Sequence, residues 1–353
     1  MLTLIIMAKQ GLTPRTALNL VKRDHTWALC VGSGISYPIF PLWDGLARKI
    51  VHKFVPAADG SFDDLSKKMN AEVLLQAATE MAGKDHKTFA KDLADTLYEG
   101  LFEGLAAPDV ELVKKCLTSV PGIRGIDWNR YLTIVQGKSP VKTTAMSLAE
   151  SILRLKSQNR APSSILSFNA EMLLGSLMNA VAHESYGENR KFFDYMIEPT
   201  SFHDKDRIAY YFCHGVMPVP GTWNSARSLF NADEKLVFLE NEYLQLANSS
   251  YSWQSTAFIN TLSSHVVYFV GLSFVDPNIR RWLAWIQKER LKSLSKHNPK
   301  GVVSTSHYWI EKKPASTVQQ RMMEASVSHL GIRIIWIDDW TEVSAALENG
   351  IVV

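Results

Sequence analysis

The chain is poor in cysteine and has no long apolar run. Its 353 residues include only three cysteines, Cys30, Cys116 and Cys213, and no two of them form a C-x-x-C pair. This spacing excludes a zinc ribbon and disfavours a disulfide framework. No stretch reaches the roughly 18 apolar residues that are needed to span a bilayer. The apolar opening at residues 1–7 lacks a basic leader and a small-residue cleavage site, so we expect a cytoplasmic protein without membrane association.

An excess of charge of one sign is also missing. The formal net charge is only +3, from 38 Lys and Arg against 35 Asp and Glu. This balance predicts no direct nucleic-acid partner. Basic residues do gather between positions 280 and 300, where a solvated helix face explains them. With 46% hydrophobic and 21% charged residues, the composition is that of a soluble globular protein. The length allows one large domain or two modest ones.

What the sequence does contain is four short polar or glycine-rich segments, each directly after a run of β-branched and aromatic residues. The runs lie at residues 26–31, 164–166, 208–212 and 265–270. The segments that follow them are Gly32-Ser33-Gly34-Ile35-Ser36, Phe168-Asn169, His214-Gly215 and Gly271-Leu272-Ser273-Phe274-Val275-Asp276-Pro277. Strands that end in this way and give way to helices predict an α/β fold with a mostly parallel sheet. Ligands bind such folds at the carboxyl ends of the strands.

Between the first and second strands the β pattern stops for about a hundred residues. Apolar residues at helical spacing predict helices at 70–81, 87–105, 110–120 and 143–156. We therefore expect a helical insertion at residues 52–160 within a Rossmann-like domain made of residues 1–51 and 161–353. Later strands are predicted at 236–239, 302–310 and 332–337, and residues 216–232 show no clear periodicity and are predicted to be a loop.

The first glycine turn has two interpretations. Glycines allow close approach to a pyrophosphate, while the next helix offers free N–H groups to the anion. The same pattern also fits a tight turn without a ligand. Tyr37 replaces the third glycine of G-x-G-x-x-G, and no carboxylate lies about 20 residues further on to bind a ribose. These two departures disfavour a hydride-transfer dehydrogenase.

Each polar residue of the other segments also has a structural alternative. Asn169 follows a strand and precedes a helix, so it is either a ligand-binding amide or a helix-capping residue. His214 suits a general base near neutral pH, although a histidine at the end of a strand can equally be a hydrogen-bonded structural residue. Asp276 and Pro277 are typical of the N-cap and first position of a helix, and Ser273 is a second candidate for that cap.

Taken together, these motifs resemble the sirtuin-like NAD-binding domain in the branch found in prokaryotic anti-phage systems. The resemblance covers residues 27–345, apart from the helical insertion. Its pattern is a G-[AS]-G-I-S turn, a Pro-x-Trp element, T-x-N-Y-D-x-L-L, H-G and G-[YF]-S-x-x-D-P. The matching residues here are Gly32 to Ser36, Pro41 and Trp43, the run from Ser167 to Leu174, His214-Gly215, and the run from Gly271 to Pro277. Residues 239–243 also resemble the acidic-Tyr element of the family, and residues 334–340 its closing strand.

The resemblance implies a Rossmann-like fold and hydrolysis of NAD+, the substrate, to nicotinamide and ADP-ribose without a metal. It implies that Asn169 and His214 are the catalytic pair. Ser273 and Asp276 would lie near the adenosine half, and the glycine turn would hold the phosphates. The full set of implied NAD-binding residues is Gly32, Ser33, Gly34, Ile35, Ser36, Trp43, Phe168, Glu171, Gly271, Ser273 and Asp276.

Some features depart from the family pattern. Ala170-Glu171 replaces the usual Tyr-Asp, and this change favours the alternative of a sensor that binds NAD or an ADP-ribose nucleotide without cleaving it. The zinc-binding cysteines and the G-I-P-D-F-R segment of protein-deacylating sirtuins are missing, which disfavours a deacylase. An NAD hydrolase must be restrained in its host, so we expect activation through homo-oligomerisation or a partner. By family analogy, this partner is a HerA-type ring ATPase or a short Argonaute.

Overall fold

The fold is built on one sheet of seven parallel strands. The computed structural model describes residues 26–119, 123–186, 192–197, 201, 203–222, 236–248, 252–297 and 306–350. The strands lie in the order β3-β4-β2-β1-β5-β6-β7, and every neighbouring pair is parallel. They are β1 (Trp27–Val31), β2 (Ser164–Ser167), β3 (Phe193–Met196), β4 (Ile208–Phe212), β5 (Val266–Val270), β6 (His307–Lys312) and β7 (Ile332–Ile337). The predicted α/β, Rossmann-like class is confirmed.

Helices cover both faces of this sheet. In chain order, the described α-helices are α1 (Trp43–Phe54), α2 (Phe62–Ser66), α3 (Ala71–Met81), α4 (His86–Phe102), α5 (Ala107–Leu117), α6 (Gly125–Gly137), α7 (Thr144–Ser157), α8 (Leu173–Tyr186), α9 (Glu240–Asn248), α10 (Trp253–Ser264), α11 (Pro277–His297), α12 (Thr317–Ser328) and α13 (Val343–Gly350). Among the described residues, no helix combines the length and the apolar character that a membrane span requires.

Strand periodicity divides the core between the two faces. Trp27, Leu29 and Val31 of β1 belong to one hydrophobic cluster, which α1 and the helices from α3 to α8 complete together with α13. Ala28 and Cys30 point to the opposite face and belong to a second cluster with residues of α10, α11 and α12. Successive side chains of a strand point to opposite faces, so a sheet that is covered on both sides buries every position of its central strands.

The described residues between β1 and β2 form helices joined by turns and contain no strand. The four predicted helices there correspond to α3, α4, α5 and α7, each within a few residues of its predicted ends. Helix α6 lies there too and was not predicted. Buried residues of α4 to α7 share the first cluster with the sheet, so these helices and the strands have a common hydrophobic core. Their division from the rest as a separate insertion subdomain stays a prediction.

The prediction of a strand at residues 236–239 was wrong. These four residues are buried, but their backbone is irregular and leads into α9. The N–H groups of Phe238 and Leu239 donate to the carboxylate of Glu242, 2.6 and 2.8 Å away, in the manner of a helix N-terminus. A short apolar run does not by itself distinguish a strand from such a buried helix entry.

Other predictions are confirmed in part or lie outside the described residues. Strand β6 occupies the second half of the predicted segment 302–310, whose residues 302–305 are not described. The opening apolar residues 1–7 and residues 223–232 of the predicted loop are also outside the described residues. Strand β3 and helices α2, α9, α10, α12 and α13 were not predicted.

Candidate functional site

The carboxyl ends of the central strands open into one cleft of about 940 Å³. Ligand pockets for small molecules typically measure about 300–1,000 Å³. The cleft lies where the chain leaves β1, whose neighbours are β2 on one side and β5 on the other. The strand order therefore reverses at β1, and open α/β sheets bind ligands at such a reversal. All predicted site residues except Ile35 line the cleft.

Two glycine turns form the floor of the cleft by packing on each other. A Cβ on Gly32 would lie 2.5 Å from the carbonyl oxygen of Gly271, and a Cβ on Gly34 would lie 3.0 Å from the Gly271 Cα. Gly271 itself has a φ of 66°. These glycines therefore allow the two loops to pack closely against each other. The sequence alone did not distinguish this structural role from phosphate binding.

Most backbone N–H groups of the first turn are already hydrogen-bonded. It forms a single 3₁₀ turn, in which the N–H groups of Ile35 and Ser36 donate to Gly32 and Ser33. The N–H of Gly32 donates to Val270, and that of Gly34 donates to Gly271, each over 3.1 Å. Phosphate binding by this turn stays a prediction.

Ile35 occupies a different position from the other members of the turn. Its side chain is fully buried and belongs to the first hydrophobic cluster. A Cβ on Gly271 would lie 2.7 Å from the Ile35 nitrogen. Ile35 therefore supports the turn from below and does not face the cleft, which corrects its predicted ligand-binding role.

Asn169 is held by a buried carboxyl group. Its Nδ2 donates to Glu171 Oε1 over 2.9 Å, and the Ser36 hydroxyl donates to the same oxygen over 2.5 Å. The other Glu171 oxygen accepts the N–H of Leu173, so Glu171, rather than Asn169, caps α8. Burial raises the pKa of Glu171, against the lowering effect of these donors. Asn169 Oδ1 is buried without a hydrogen-bond partner among the described residues.

His214 lies between two aromatic rings. The Phe168 ring meets the imidazole edge-on, with 4.8 Å between the ring centroids. The Tyr243 ring does the same, with 5.5 Å between the centroids. Its backbone carbonyl accepts the N–H of Val237, which ties it to the segment before α9. The imidazole Nε2 lies 3.5 Å from Asp276 Oδ2. Both of these atoms are buried and lack a hydrogen-bond partner among the described residues.

Asp276 is fixed through its other oxygen. The N–H of Asn278 donates to Asp276 Oδ1 over 2.7 Å, at the start of α11. Asp276 is thus the cap of this helix, as predicted, and Pro277 is the first residue of the helix. Ser273, the second candidate for the cap, is exposed and lines the cleft.

Trp43 forms a side wall of the cleft. Its indole N–H donates to Glu72 Oε1 over 3.3 Å, and its ring lies 5.1 Å from that of Phe238. Phe238, Tyr243 and Glu311 also line the cleft but were not among the predicted site residues. Tyr243 belongs to the acidic-Tyr element noted in the sequence, which was the available signal for it. Glu311 carried no signal beyond its place near the end of a strand.

Carboxyl groups dominate the charge of the cleft. The acidic residues that line it are Asp44, Asp63, Glu72, Glu171, Asp276 and Glu311. Arg48 is the only lysine or arginine among the described lining residues, and it pairs with Asp63 at the exposed mouth. The described part of the chain contains no group of three His, Cys, Asp or Glu side chains placed to hold a metal ion. The lining suits a ligand with a cationic portion.

Comparison with known families agrees with this geometry. Residues 177–335 match the sequence model of a family described as a SIR2-like domain. The match covers less than half of the chain; it includes His214 and the second glycine turn and begins after Asn169. No curated protein matches the chain. SIR2-like domains bind NAD+, so the match indicates an NAD-related function and is compatible with an NAD-utilising enzyme.

Proposed function

We propose that the protein is an NAD+ glycohydrolase that cleaves NAD+ to nicotinamide and ADP-ribose. The observation that carries this proposal is a set of three buried polar atoms, all on residues that line one cleft, for which the described residues provide no hydrogen-bond partner. They are Asn169 Oδ1, His214 Nε2 and Asp276 Oδ2. Buried polar atoms in native proteins are nearly always hydrogen-bonded, so atoms without partners in a cleft favour a polar ligand.

In the proposed reaction, the bond from the ribose C1′ to the nicotinamide nitrogen breaks, and its electron pair leaves with nicotinamide. This leaving group already carries a positive charge and needs little acid catalysis. The ribose then becomes oxocarbenium-like, and carboxylates that line the cleft stabilise its charge. Water attacks C1′, with Asn169 Oδ1 accepting one of its hydrogen bonds. His214 takes the proton of the attacking water, a role worth about 10²–10⁴-fold in rate.

The Asn169→Ala and His214→Ala variants test this assignment. Each should lose about 10²–10⁴-fold in NAD+ cleavage while its melting temperature stays close to that of the wild type. His265→Ala is the matched control, because this histidine lies outside the cleft and hydrogen-bonds locally to Ser264 and Thr261. A double variant of Asn169 and His214 that consumes NAD+ at the wild-type rate contradicts the proposal. A purely structural histidine would instead show itself by a lowered melting temperature.

A non-catalytic sensor of NAD or an ADP-ribose nucleotide is the second candidate. This candidate is favoured by the hydrogen bond from Asn169 Nδ2 to Glu171, because the amide NH₂ group is then already engaged within the protein. An assay with a fluorescent NAD+ analogue distinguishes the candidates. Cleavage without peptide supports the hydrolase, binding without cleavage supports the sensor, and cleavage only with an acylated peptide supports a deacylase.

We also propose that the enzyme is an antiviral effector in the cytoplasm and is activated by self-assembly or by a partner such as a HerA-type ring ATPase or a short Argonaute. The tryptophan-containing segment Trp282-Leu283-Ala284-Trp285-Ile286 of α11 is our candidate for an assembly surface, and within it Trp282 is buried in the core. Trp285 is 52% exposed, with the Arg281 guanidinium 5.3 Å from its ring. Size-exclusion chromatography with light scattering tests assembly. A strict monomer that is fully active would overturn this part of the proposal.

A further inference from the structure

Asp276 and His214 form a pair that the sequence motifs did not suggest. The resemblance placed Asp276 near the adenosine half of NAD+, whereas the structure brings Asp276 Oδ2 to 3.5 Å from His214 Nε2. The two residues are far apart in the chain and lie at the ends of different strands. We propose that Asp276 is a positioning residue that orients the His214 imidazole and fixes which of its nitrogens carries the proton. This inference rests on the proposed function.

The backbone holds the Asp276 carboxyl group in place for this role. Its Oδ1 is occupied by the N–H of Asn278, so Oδ2 is the oxygen that faces the imidazole. The preceding turn contains Phe274 with a φ of 56°, a left-handed conformation that is uncommon for a residue with a side chain. Phe274 is anchored at 4.9 Å from the rings of both Phe269 and Trp309. The direction of the carboxyl group is therefore set by a packed loop.

The imidazole is restrained on its other sides. The rings of Phe168 and Tyr243 contact it edge-on, which limits its rotation. The separation of 3.5 Å from the carboxylate exceeds an ordinary hydrogen bond, and such catalytic contacts commonly tighten when the substrate binds. When the Nε2–H group donates a hydrogen bond to Asp276 Oδ2, the lone pair of the neutral ring lies on Nδ1. Nδ1 is then the nitrogen that accepts the proton of the attacking water.

Other titratable groups also line the cleft. Tyr243 on α9 contacts the imidazole with its ring. The remaining ones are Asp44, Arg48, Asp63, Glu72, Glu171 and Glu311. Among the titratable groups of the cleft, Asp276 is the one for which the structure gives an ion-pair distance to the imidazole.

Two substitutions separate this role from helix capping. Serine and asparagine both cap helices well, so Asp276→Ser and Asp276→Asn should keep α11 intact. In the Asn variant the amide oxygen keeps the capping bond, so its NH₂ group faces Nε2 and drives the proton onto Nδ1. That tautomer has no lone pair for the base, and kcat should fall by about 10²-fold or more. The Ser variant leaves Nε2 without a partner and should lose only about tenfold.

Steady-state kinetics and ¹⁵N NMR of the His214 ring nitrogens test the pairing, with the His214→Ala variant assigning the resonances. We expect kcat to fall in the order wild type, Ser variant, Asn variant, while KM changes less than about threefold. The NMR spectra should show the proton of the neutral ring on Nε2 in the wild type and on Nδ1 in the Asn variant. Asp85→Asn is the control, because Asp85 caps α4 outside the cleft by accepting the N–H of Thr88.

Three outcomes would overturn the inference: the same protonated nitrogen of His214 in the wild type and the Asn variant, a raised KM with wild-type kcat, or a loss of kcat that follows the loss of melting temperature. A raised KM alone would mean that Asp276 only binds the ligand. If the wild type does not cleave NAD+, the proposed function fails, and the ¹⁵N NMR spectra still decide whether Asp276 and His214 interact.

Discussion

Replacing Gly32 by alanine should show that the contact between the two glycine turns holds the floor of the cleft. The backbone of Gly32 is extended, with φ −122° and ψ 179°, so alanine adopts it without strain. The difficulty is space. The new Cβ would lie 2.5 Å from the Gly271 carbonyl oxygen and 3.0 Å from the Leu272 Cα. Both neighbours are backbone atoms, so a side chain cannot simply rotate away.

The size of the effect follows from these distances. To restore a contact of 3.0–3.4 Å, the two loops must separate by about 0.5–0.9 Å. The hydrogen bonds from Gly32 to Val270 and from Gly34 to Gly271 are already 3.1 Å long, so such a movement would break or weaken them. Overpacking costs about 1–3 kcal/mol, and each weakened bond about 0.5–1.5 kcal/mol. We therefore expect a loss of about 2–6 kcal/mol, or roughly 3–8 °C in melting temperature.

Urea unfolding and thermal melting measure this loss, and NAD+ turnover measures the effect on the cleft. Gly137→Ala is the control, since a Cβ at this position near the end of α6 meets nothing within 4 Å. Alanine there should be neutral or stabilising by up to about 1 kcal/mol. If the Gly32 variant melts within a degree of both the wild type and the control, the steric argument is wrong.

Two further perturbations test the walls of the cleft. Burial raises the pKa of Glu311 to about 7 from a usual value of 4.5, so the stability that it contributes is fully present below about pH 4.5 and is lost as the pH rises through 7. Between pH 5 and 8 the free energy of unfolding of the wild type should therefore fall by on the order of 1–3 kcal/mol relative to that of Glu311→Gln. Urea unfolding measures both values, and a difference between the two proteins that does not change with pH would contradict this. Glu242→Ala removes the acceptor of two backbone N–H groups and of His86 Nε2, and it should cost about 1–3 kcal/mol and weaken NAD+ binding in calorimetry. His86→Gln loses only one of these contacts and should have a smaller effect; equal losses would show that the N–H contacts contribute nothing.

Much of the fold followed from local pattern. The strands at 208–212 and 332–337 were predicted with the ends that the structure gives, because apolar β-branched runs and the turn residues after them are visible in the chain itself. The start of α11 was equally local, since Asp and Pro suit the N-cap and first position of a helix. Local pattern was not sufficient at residues 236–239, where an apolar run predicted a strand. These residues instead lead into α9, and the Glu242 carboxylate accepts a backbone N–H group there.

The candidate site was predictable as a set of residues but not as an arrangement. Asn169, His214 and the glycine turns could be singled out because each follows a strand, and strand ends meet at one edge of a parallel sheet. Local pattern did not predict that Ile35 is buried beneath the turn or that the turn amides are already hydrogen-bonded. It also did not predict that Glu171, rather than Asn169, caps α8.

The amino-acid sequence by itself determined most of the strands, several of the helices and which polar side chains stand at the strand ends. The tertiary structure decided which of these ends are neighbours, because the order of strands in the sheet depends on packing between distant parts of the chain. With β1 between β2 and β5, the two glycine turns come into contact. The same packing brings Asp276 to His214, and no spacing in the chain encodes that distance.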